Sequence, residues 1–317
     1  MGRGRVVVAT SGIRLLLVAV VLAVPLLAAG CARPGGPWRE HADGPRVVAT
    51  TTQVADMAAV IAADRIDLVR LLKPGIDAHD YEPSPADVEA IATAQLVVEN
   101  GVGLESWLHD TIESSGYDGP VVDASQGVRL RQVGGEPDPH IWQDPRNAMV
   151  MATNIERGLA RVDPSSAGFY QRQLDGYLED LRALDAEVER QTAGLTDRKV
   201  VTNHDALGYY LDRYHLELVG SVIPSFDSSA ELSGRDIRDL VARIKATGVT
   251  AVFAETSLPP RAAETIAREA GVKVVTGDDA LYGDSLGPPG SDGASYEMMI
   301  RHNTRTIVRN LGGPDGT

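Results

Sequence analysis

The sequence predicts an α/β protein with two lobes, each built on a small, mostly parallel sheet flanked by helices, and joined by one long helix. Short β-branched runs alternate with amphipathic stretches from Arg46 onwards, and this alternation indicates βαβ units. The strand candidates are continuous apolar runs, as expected for strands that helices cover on both faces. One long periodic segment interrupts the alternation, so we expect a lobe, a helix and a second lobe in that order.

The first lobe is predicted to span residues 46–162. Its strand candidates are residues 46–50, 66–72 and 95–99, and its helix candidates are residues 54–62, 85–94 and 104–114. Ser84 can cap the second of these helices, and Pro85 can take its first position, where a backbone N–H would have no partner within the helix.

The linking helix is predicted over residues 163–195, because apolar residues recur there in steps of four and three and therefore share one face. The residues on this face are Tyr170, Leu174, Tyr177, Leu181, Leu184 and Val188. At ~1.5 Å per residue, a helix over most of this segment would be about 45 Å long, comparable to a small domain. Such a length favours a connection between lobes.

The second lobe is predicted to span residues 196–317. Its strand candidates are residues 199–202, 216–222, 251–254 and 272–276, and its helix candidates are residues 206–214, 234–246, 259–270 and 296–311. Between the last strand and the last helix, Gly277 to Gly293 is rich in Gly, Asp, Ser and Pro, which predicts a loop.

Residues 1–30 are predicted to be a signal peptide, because basic residues precede an apolar run of about 15 residues, short of the ~20 that cross a bilayer. Cys31 follows a small-residue run at the end of this segment, which resembles a lipobox in which the thiol is alkylated with diacylglycerol. A free thiol after an ordinary signal sequence is the alternative. Residues 31–45 have no hydrophobic period and many Gly and Pro, so we expect a tether.

The charge and the cysteine content exclude several classes of protein. The formal net charge is −14, and removing residues 1–30 takes away three arginines and no acid, giving −14 − 3 = −17. An acidic surface argues against nucleic-acid binding and suits a protein that handles cations, although it also simply keeps an exported protein soluble. With one cysteine, an intramolecular disulfide and a multi-cysteine zinc site are both impossible.

Four polar residues stand in separate Gly/Pro-rich loops, each at the mouth of a predicted α/β unit. They are His79 in DAHDYEPSP, His140 in DPHIWQDP, His204 in VTNHDALGYY and Asp284 in LYGDSLG. Three imidazoles and a carboxylate could fill a tetrahedral metal site. The four residues lie too far apart in the chain for a local chelate, so their spacing alone proves nothing.

These loops, in this order, resemble the ligand loops of the metal-binding lipoproteins of bacterial zinc and manganese ABC importers, the ZnuA/TroA-like solute-binding proteins of cluster A-I. The resemblance covers Arg46 to Leu311, and the DPHxWxDP form around His140 is its most specific part. It implies a metal cleft between the lobes, with Asp284 rather than Asp278 or Asp279 as the carboxylate ligand.

The resemblance also bears on which metal is bound and on the residues around the site. Zinc binders of this kind commonly have His at the position of His204, whereas manganese binders commonly have Glu. A set of three nitrogens and one oxygen favours Zn²⁺ over Mn²⁺ without excluding Mn²⁺. Two carboxylates are candidates for supporting the ligands: Glu255 at a strand end, and Asp144, which could orient His140 or cap a helix beginning near Asn147.

The implied function is a monomeric lipoprotein on the outer face of the cytoplasmic membrane that captures Zn²⁺, or Mn²⁺ as an alternative cargo, and delivers it to an ABC permease and its ATPase. A closed site with four protein ligands binds and does not catalyse. With two ligands before the long helix and two after it, displacing one lobe would remove half of the coordination shell.

Two alternatives stay open at this point. One is an exported metallohydrolase with Glu255 as its base, and the other is a metal-dependent surface adhesin. A GxSxG sequence surrounds Ser285, but it lacks the strand-turn-helix context of a nucleophile elbow.

Overall fold

The computed structural model describes residues 1–2 and 44–312, and in these residues the chain has the predicted mixed α/β architecture. Cys31 and nearly all of the predicted signal peptide and tether lie outside the described residues. Among the helices of the described part, none combines the length and the apolar character needed to cross a bilayer.

A parallel four-stranded sheet forms the core of the first half of the chain. Its strands are β1 (Arg46–Ala49), β2 (Asp67–Arg70), β3 (Leu96–Glu99) and β4 (Val121–Asp123), in the order β2-β1-β3-β4. In the register of the central strand, Val47 pairs with Leu68 on one side and with Leu96 on the other. Val47 and Leu96 are fully buried, which explains why these strands read as continuous apolar runs.

Helices cover this sheet. A short hairpin precedes the fourth helix in the chain. The helices are α1 (Thr52–Ala62), α2 (Pro85–Ala92), α3 (Leu108–Ser115) and α4 (Pro145–Val162), and the hairpin pairs β5 (Gln132–Val133) with β6 (Glu136–Pro137). As predicted, Ser84 caps α2 and Pro85 begins it, and Asp87 completes a capping box.

The long helix α5 (Ala167–Ala193) has 27 residues and is therefore about 40 Å long. The six predicted apolar positions are all buried, and the helix packs against α1 and α4 and against the C-terminal helix. Its observed ends lie within a few residues of the predicted segment, as expected when one face is fixed by burial.

After α5 the chain returns to an α/β alternation. The elements are β7 (Lys199–His204), α6 (Gly208–Arg213), β8 (Glu217–Ile223), α7 (Gly234–Thr247), β9 (Ala251–Phe253), α8 (Arg261–Ala270), β10 (Lys273–Val275) and α9 (Tyr296–Asn310). Strand β7 pairs with β8, and β9 pairs with β10, all in parallel. Strands β7 and β9 are close neighbours, so the ends of both strands face one region.

Buried apolar side chains of the described residues form a larger and a smaller cluster. The larger cluster joins the first sheet and its helices to α5, α6, α9 and the segment around Leu281 to Leu286, and it also includes Val200, Phe253 and Val275 of β7, β9 and β10. The smaller cluster lies among β7, β8, β9, α7 and α8; its residues are Val201, Val222, Leu240, Val241, Ile244, Val249, Val252, Ala254, Ala263, Ile266 and Ala267. Helix α9 thus packs with the first half of the chain.

Candidate metal centre

The folded chain brings the four candidate ligands together. One ligand atom from each of His79, His140, His204 and Asp284 lies within 4.8 Å of the other three. His79 lies in the loop between β2 and α2, His140 directly precedes the turn Ile141–Gln143, His204 ends β7, and Asp284 lies in the loop before α9. Four distant loops therefore meet at one point.

Several separations between these atoms are close to those around a tetrahedral zinc ion, whereas His79 Nε2 lies farther from Asp284 Oδ2, at 3.9 Å. The Nε2 atoms of His79 and His140 are 3.3 Å apart. Asp284 Oδ1 lies 3.3 Å from His140 Nε2, and Asp284 Oδ2 lies 3.1 Å from His204 Nε2. Ligand atoms about 2.0–2.1 Å from zinc at tetrahedral angles lie about 3.3–3.4 Å from one another.

The site is buried and reaches solvent beside one histidine. The side chains of His140, His204 and Asp284 have no exposed surface, whereas that of His79 is 9% exposed. Phe226 packs near the His140 ring, with 6.0 Å between ring centroids. A cation would therefore enter past His79.

A carboxylate orients each of the two fully buried imidazoles. His140 Nδ1 lies 2.7 Å from Asp138 Oδ1, and His204 Nδ1 lies 2.9 Å from Glu255 Oε1. The same oxygen also accepts the backbone N–H of its histidine, at 3.0 Å in both cases. Because an ionised carboxylate only accepts hydrogen bonds, Nδ1 carries the proton and the Nε2 lone pair faces the centre of the site.

Asp138 is the supporting residue that the sequence analysis missed. Asp144, which was considered for this role, instead accepts the backbone N–H of Arg146 and caps α4, which begins at Pro145. The sequence does contain a signal for Asp138, because it stands two residues before His140. Asp77 stands two residues before His79 and likewise accepts that residue's backbone N–H, at 2.9 Å.

Glu255 lies where the sequence placed it, at the end of β9, and contacts His204. Its side chain is buried, and Oε2 has no hydrogen-bond partner among the described residues. A Cβ atom on Gly283 would lie 1.9 Å from this oxygen, so a side chain at that position would displace Glu255. Glycine at this position therefore keeps Glu255 against His204.

Several buried polar atoms at the centre lack hydrogen bonds. Within the described residues, His204 Nε2 and both Asp284 oxygens are buried without a hydrogen-bond partner, because their close approaches to one another lack hydrogen-bond geometry. Leaving such groups unsatisfied is costly. A divalent cation bound by all of them removes that cost, so the residues present fit a metal ion.

Neighbouring groups of opposite charge shift the pKa values of the buried histidines and of Asp284. Burial alone would lower the pKa of His140, but the carboxylates of Asp138 and Asp284 raise it to about 9. Asp284 and Glu255 likewise raise the pKa of His204 against the effect of burial. For Asp284, burial is outweighed by the charges of His204 and His140, which hold its pKa well below the usual range. Without metal, these shifts favour protons on His140 and His204, whereas burial lowers the pKa of His79.

The GxSxG sequence has a structural role. Ser285 Oγ accepts the backbone N–H of Gly75 at 2.8 Å and donates to the carbonyl of Leu286 at 3.0 Å. Ser285 is fully buried, and the next helix begins only at Tyr296. A nucleophilic serine needs an exposed hydroxyl beside a base, so this serine is not one.

The family model described as zinc-uptake complex component A, periplasmic, matches residues 47–310. The chain belongs to this family. The manganese-binding lipoprotein MntA of Halalkalibacterium halodurans is 30% identical over 297 residues, which cover 92% of this chain and 97% of the relative. The manganese ABC transporter substrate-binding lipoprotein PsaA of Streptococcus anginosus is 29% identical over 279 residues, covering 84% and 89%.

Solved structures of the family agree with the fold. The periplasmic zinc-binding protein TroA from Treponema pallidum has a TM-score of 0.79 and 29% identity, covering 84% of this chain and 99% of that chain. These comparisons confirm the family resemblance and the two-lobe α/β fold predicted from the sequence. The chain is a metal-binding protein of the ABC-importer type and not an enzyme, which removes the metallohydrolase alternative.

Proposed function

We propose that this protein captures Zn²⁺ outside the cytoplasm and delivers it to the permease and ATPase of an ABC importer. The observation that supports the proposal is the convergence of three imidazole Nε2 atoms and one carboxylate on one buried point. His79, His140, His204 and Asp284 are the proposed ligands.

The donor set supports zinc as the cargo. Imidazole nitrogens suit zinc, whereas manganese prefers an oxygen-rich, octahedral environment. The four donors come from protein side chains, and three of the four are fully buried, which leaves little room for the additional water ligands that manganese would need. Mn²⁺ is the alternative cargo, because several relatives are named for manganese.

We also propose the arrangement of the protein at the membrane. Residues 1–30 direct export, Cys31 carries the lipid, and residues 31–45 tether a monomer to the outer face of the cytoplasmic membrane. The folded part comprises lobes over residues 46–162 and 196–317 joined by the helix within residues 163–195. The names of the relatives as lipoproteins support this arrangement. No observation on the described residues favours adhesion.

The metal site can be tested with His140→Ala, using His109→Ala on the exposed face of α3 as the matched control. If a structural zinc site worth ~10–16 kcal/mol is shared among four ligands, each contributes about 2.5–4 kcal/mol. His140→Ala should therefore weaken zinc binding by about 10²- to 10³-fold, and His109→Ala should not change it. Competition titration with a chelator measures both.

The choice of cargo needs a second measurement. Elemental analysis of protein purified without added metal should find zinc, and parallel titrations should give tighter binding for Zn²⁺ than for Mn²⁺. An unchanged affinity in His140→Ala would refute the site. Tighter binding of Mn²⁺ by the unmodified protein would refute zinc as the cargo while leaving the site intact.

A further inference from the structure

We propose that the Asp284 carboxylate moves with His79 and His140, although it lies in the second half of the chain. His204 is then the one ligand that leaves when the cleft opens, and Gln143 is a positioning residue for Asp284. This inference rests on the proposed function. It replaces the expectation from the sequence that each lobe contributes two ligands that move together.

The backbone beside Asp284 is held by residues that follow His140. The carbonyl of Gly283 accepts hydrogen bonds from Trp142 Nε1 at 3.2 Å and from Gln143 Nε2 at 3.1 Å. Both of these side chains are fully buried. The peptide next to one ligand is thus fixed by two side chains from the turn that begins at another ligand.

Two further hydrogen bonds join the Asp284 loop to the first half of the chain. The backbone N–H of Leu286 donates to Thr52 Oγ1 at 2.8 Å. In the opposite direction, the backbone N–H of Gly75 donates to Ser285 Oγ at 2.8 Å. These bonds lie on the other side of Asp284 from Gly283, so the loop is attached on both sides of the ligand.

Helix α9 strengthens this attachment. Asn303 on α9 accepts the backbone N–H of Tyr282 at 2.9 Å and donates to its carbonyl at 2.8 Å. Tyr296, at the start of α9, donates its hydroxyl to the carbonyl of Trp142 at 2.7 Å. Because α9 packs on α1 and α5, the helix after the loop belongs to the same packed unit as His79 and His140.

His204 is attached to Glu255 and to its own strand instead. Both its backbone N–H and its Nδ1 contact Glu255 Oε1, and its carbonyl accepts from Thr202 Oγ1 at 2.7 Å. The strands that precede His204 and Glu255 contribute Val201 and Val252 to the smaller cluster, and their alternate residues Val200 and Phe253 to the larger one. A displacement of the smaller cluster would carry His204 with it.

The contacts between the smaller cluster and the part of the chain that holds His79 and His140 indicate where the backbone would bend during such a movement. Leu281 pairs through its backbone with Ala254 and Thr256, at 2.9 Å in both bonds, so the attachment changes from one unit to the other between Leu281 and Tyr282. At the cleft mouth, the hydroxyl of Ser228 contacts the carboxylate of Asp77. That contact crosses the opening and would break when the smaller cluster moves.

The consequence is a stepwise release. Loss of His204 leaves two imidazoles and one carboxylate around the ion, with a fourth position open to water or to an incoming ligand. Such a three-ligand set resembles the open sites in which zinc exchanges its fourth ligand. The ion would therefore be loosened by one broken bond rather than by two.

The positioning role of Gln143 is tested by a double-mutant cycle. Gln143→Leu should weaken zinc binding by about 10- to 100-fold, as expected for loss of an outer-shell partner. In an Asp284→Asn background the same change should have no further effect, because the two act through one ligand. The matched control is Asn154→Leu, which removes two side-chain hydrogen bonds, to the carbonyls of Ala124 and Gln126, away from the site and should leave zinc affinity unchanged. Equal losses from Gln143→Leu in both backgrounds would overturn the assignment.

The grouping of the ligands is tested by amide hydrogen exchange on the unmodified protein with and without zinc. The amides of Gly75 and Leu286 report the bonds between the Asp284 loop and the first half, and their exchange rates should stay within about twofold when zinc is removed. Faster exchange of both on zinc removal would overturn the proposal. No zinc binding in the preceding titration would instead refute the proposed function.

The movement of His204 needs a distance measurement. In a Cys31→Ser background, spin labels on the exposed positions Glu179 of α5 and Arg238 of α7 should move apart when zinc is removed. A second pair, Glu179 and the exposed Pro289 in the same loop as Asp284, should keep its distance. A constant distance in the first pair, or an equal change in both pairs, would overturn the proposal.

Discussion

Asp138→Asn changes the contact that orients His140 while keeping the size of the side chain. Asp138 uses one oxygen for His140 Nδ1 at 2.7 Å and the other for Arg131 Nη1 at 3.0 Å. An amide has one accepting oxygen, so the variant must lose one of these bonds or present its NH₂ group to a donor. We expect zinc binding to weaken about 10- to 100-fold, which corresponds to about 1.4–2.7 kcal/mol.

The matched control for this variant is Asp144→Asn. Asp144 is the N-cap of α4, and asparagine caps helices as well as aspartate does, so zinc affinity and thermal stability should both be unchanged. Chelator competition measures the affinities, and thermal unfolding checks that each variant is folded. Because Asp138 also raises the pKa of His140 in the metal-free protein, the variant has less proton competition, and its deficit should grow from pH 6 to pH 9. Equal affinities for Asp138→Asn and the unmodified protein would refute the orienting role.

The remaining predictions concern pH and metal choice. Zinc must displace a proton from His140, whose pKa is raised to about 9, and from His204, whose pKa is also raised. Apparent affinity should therefore rise with pH from pH 6 to about pH 9, with proton release measurable by calorimetry in buffers of different ionisation enthalpy; a flat profile from pH 7 to pH 9 would contradict this. His204→Glu should lower the ratio of zinc affinity to manganese affinity by about tenfold or more, because it replaces a nitrogen donor with a harder oxygen donor; an unchanged ratio in parallel titrations would show that this ligand does not set the preference.

The main elements of the fold could be predicted because burial governs them. The strand around Val47 is buried on both faces and leaves a continuous apolar run in the sequence, whereas the stripe on α5 is buried along one face and leaves a helical period. Strand β4 has three residues and begins at Val121, which is 40% exposed. The strands of the hairpin have two residues each and are exposed. Segments this short carry no period, and their pairing depends on neighbours that the local sequence does not reveal.

The candidate ligands could be predicted from their motifs, but the network that holds them was only partly visible. Glu255 was found because a strand end places it near the site. Asp138 was missed, although its spacing from His140 repeats that of Asp77 from His79. The attachment of Asp284 could not be found from the sequence, because the Gln143 side chain and the Gly283 carbonyl lie 140 residues apart in the chain. No local pattern links them.

A carrier has to hold its cargo tightly and still give it up, and the two kinds of support around this site serve these opposite needs. Asp138 and Glu255 each fix an imidazole through a buried carboxylate, so both hold a ligand in a binding geometry before metal arrives. They differ in their position, since Asp138 stands two residues before His140, whereas Glu255 follows β9, which contributes Val252 to the smaller cluster. Tight binding follows when both units are closed. Under the proposed release, a force applied by a permease to the smaller cluster would act on the bond to His204 and leave the other three proposed ligands in place, which requires less distortion than separating the ligands in pairs.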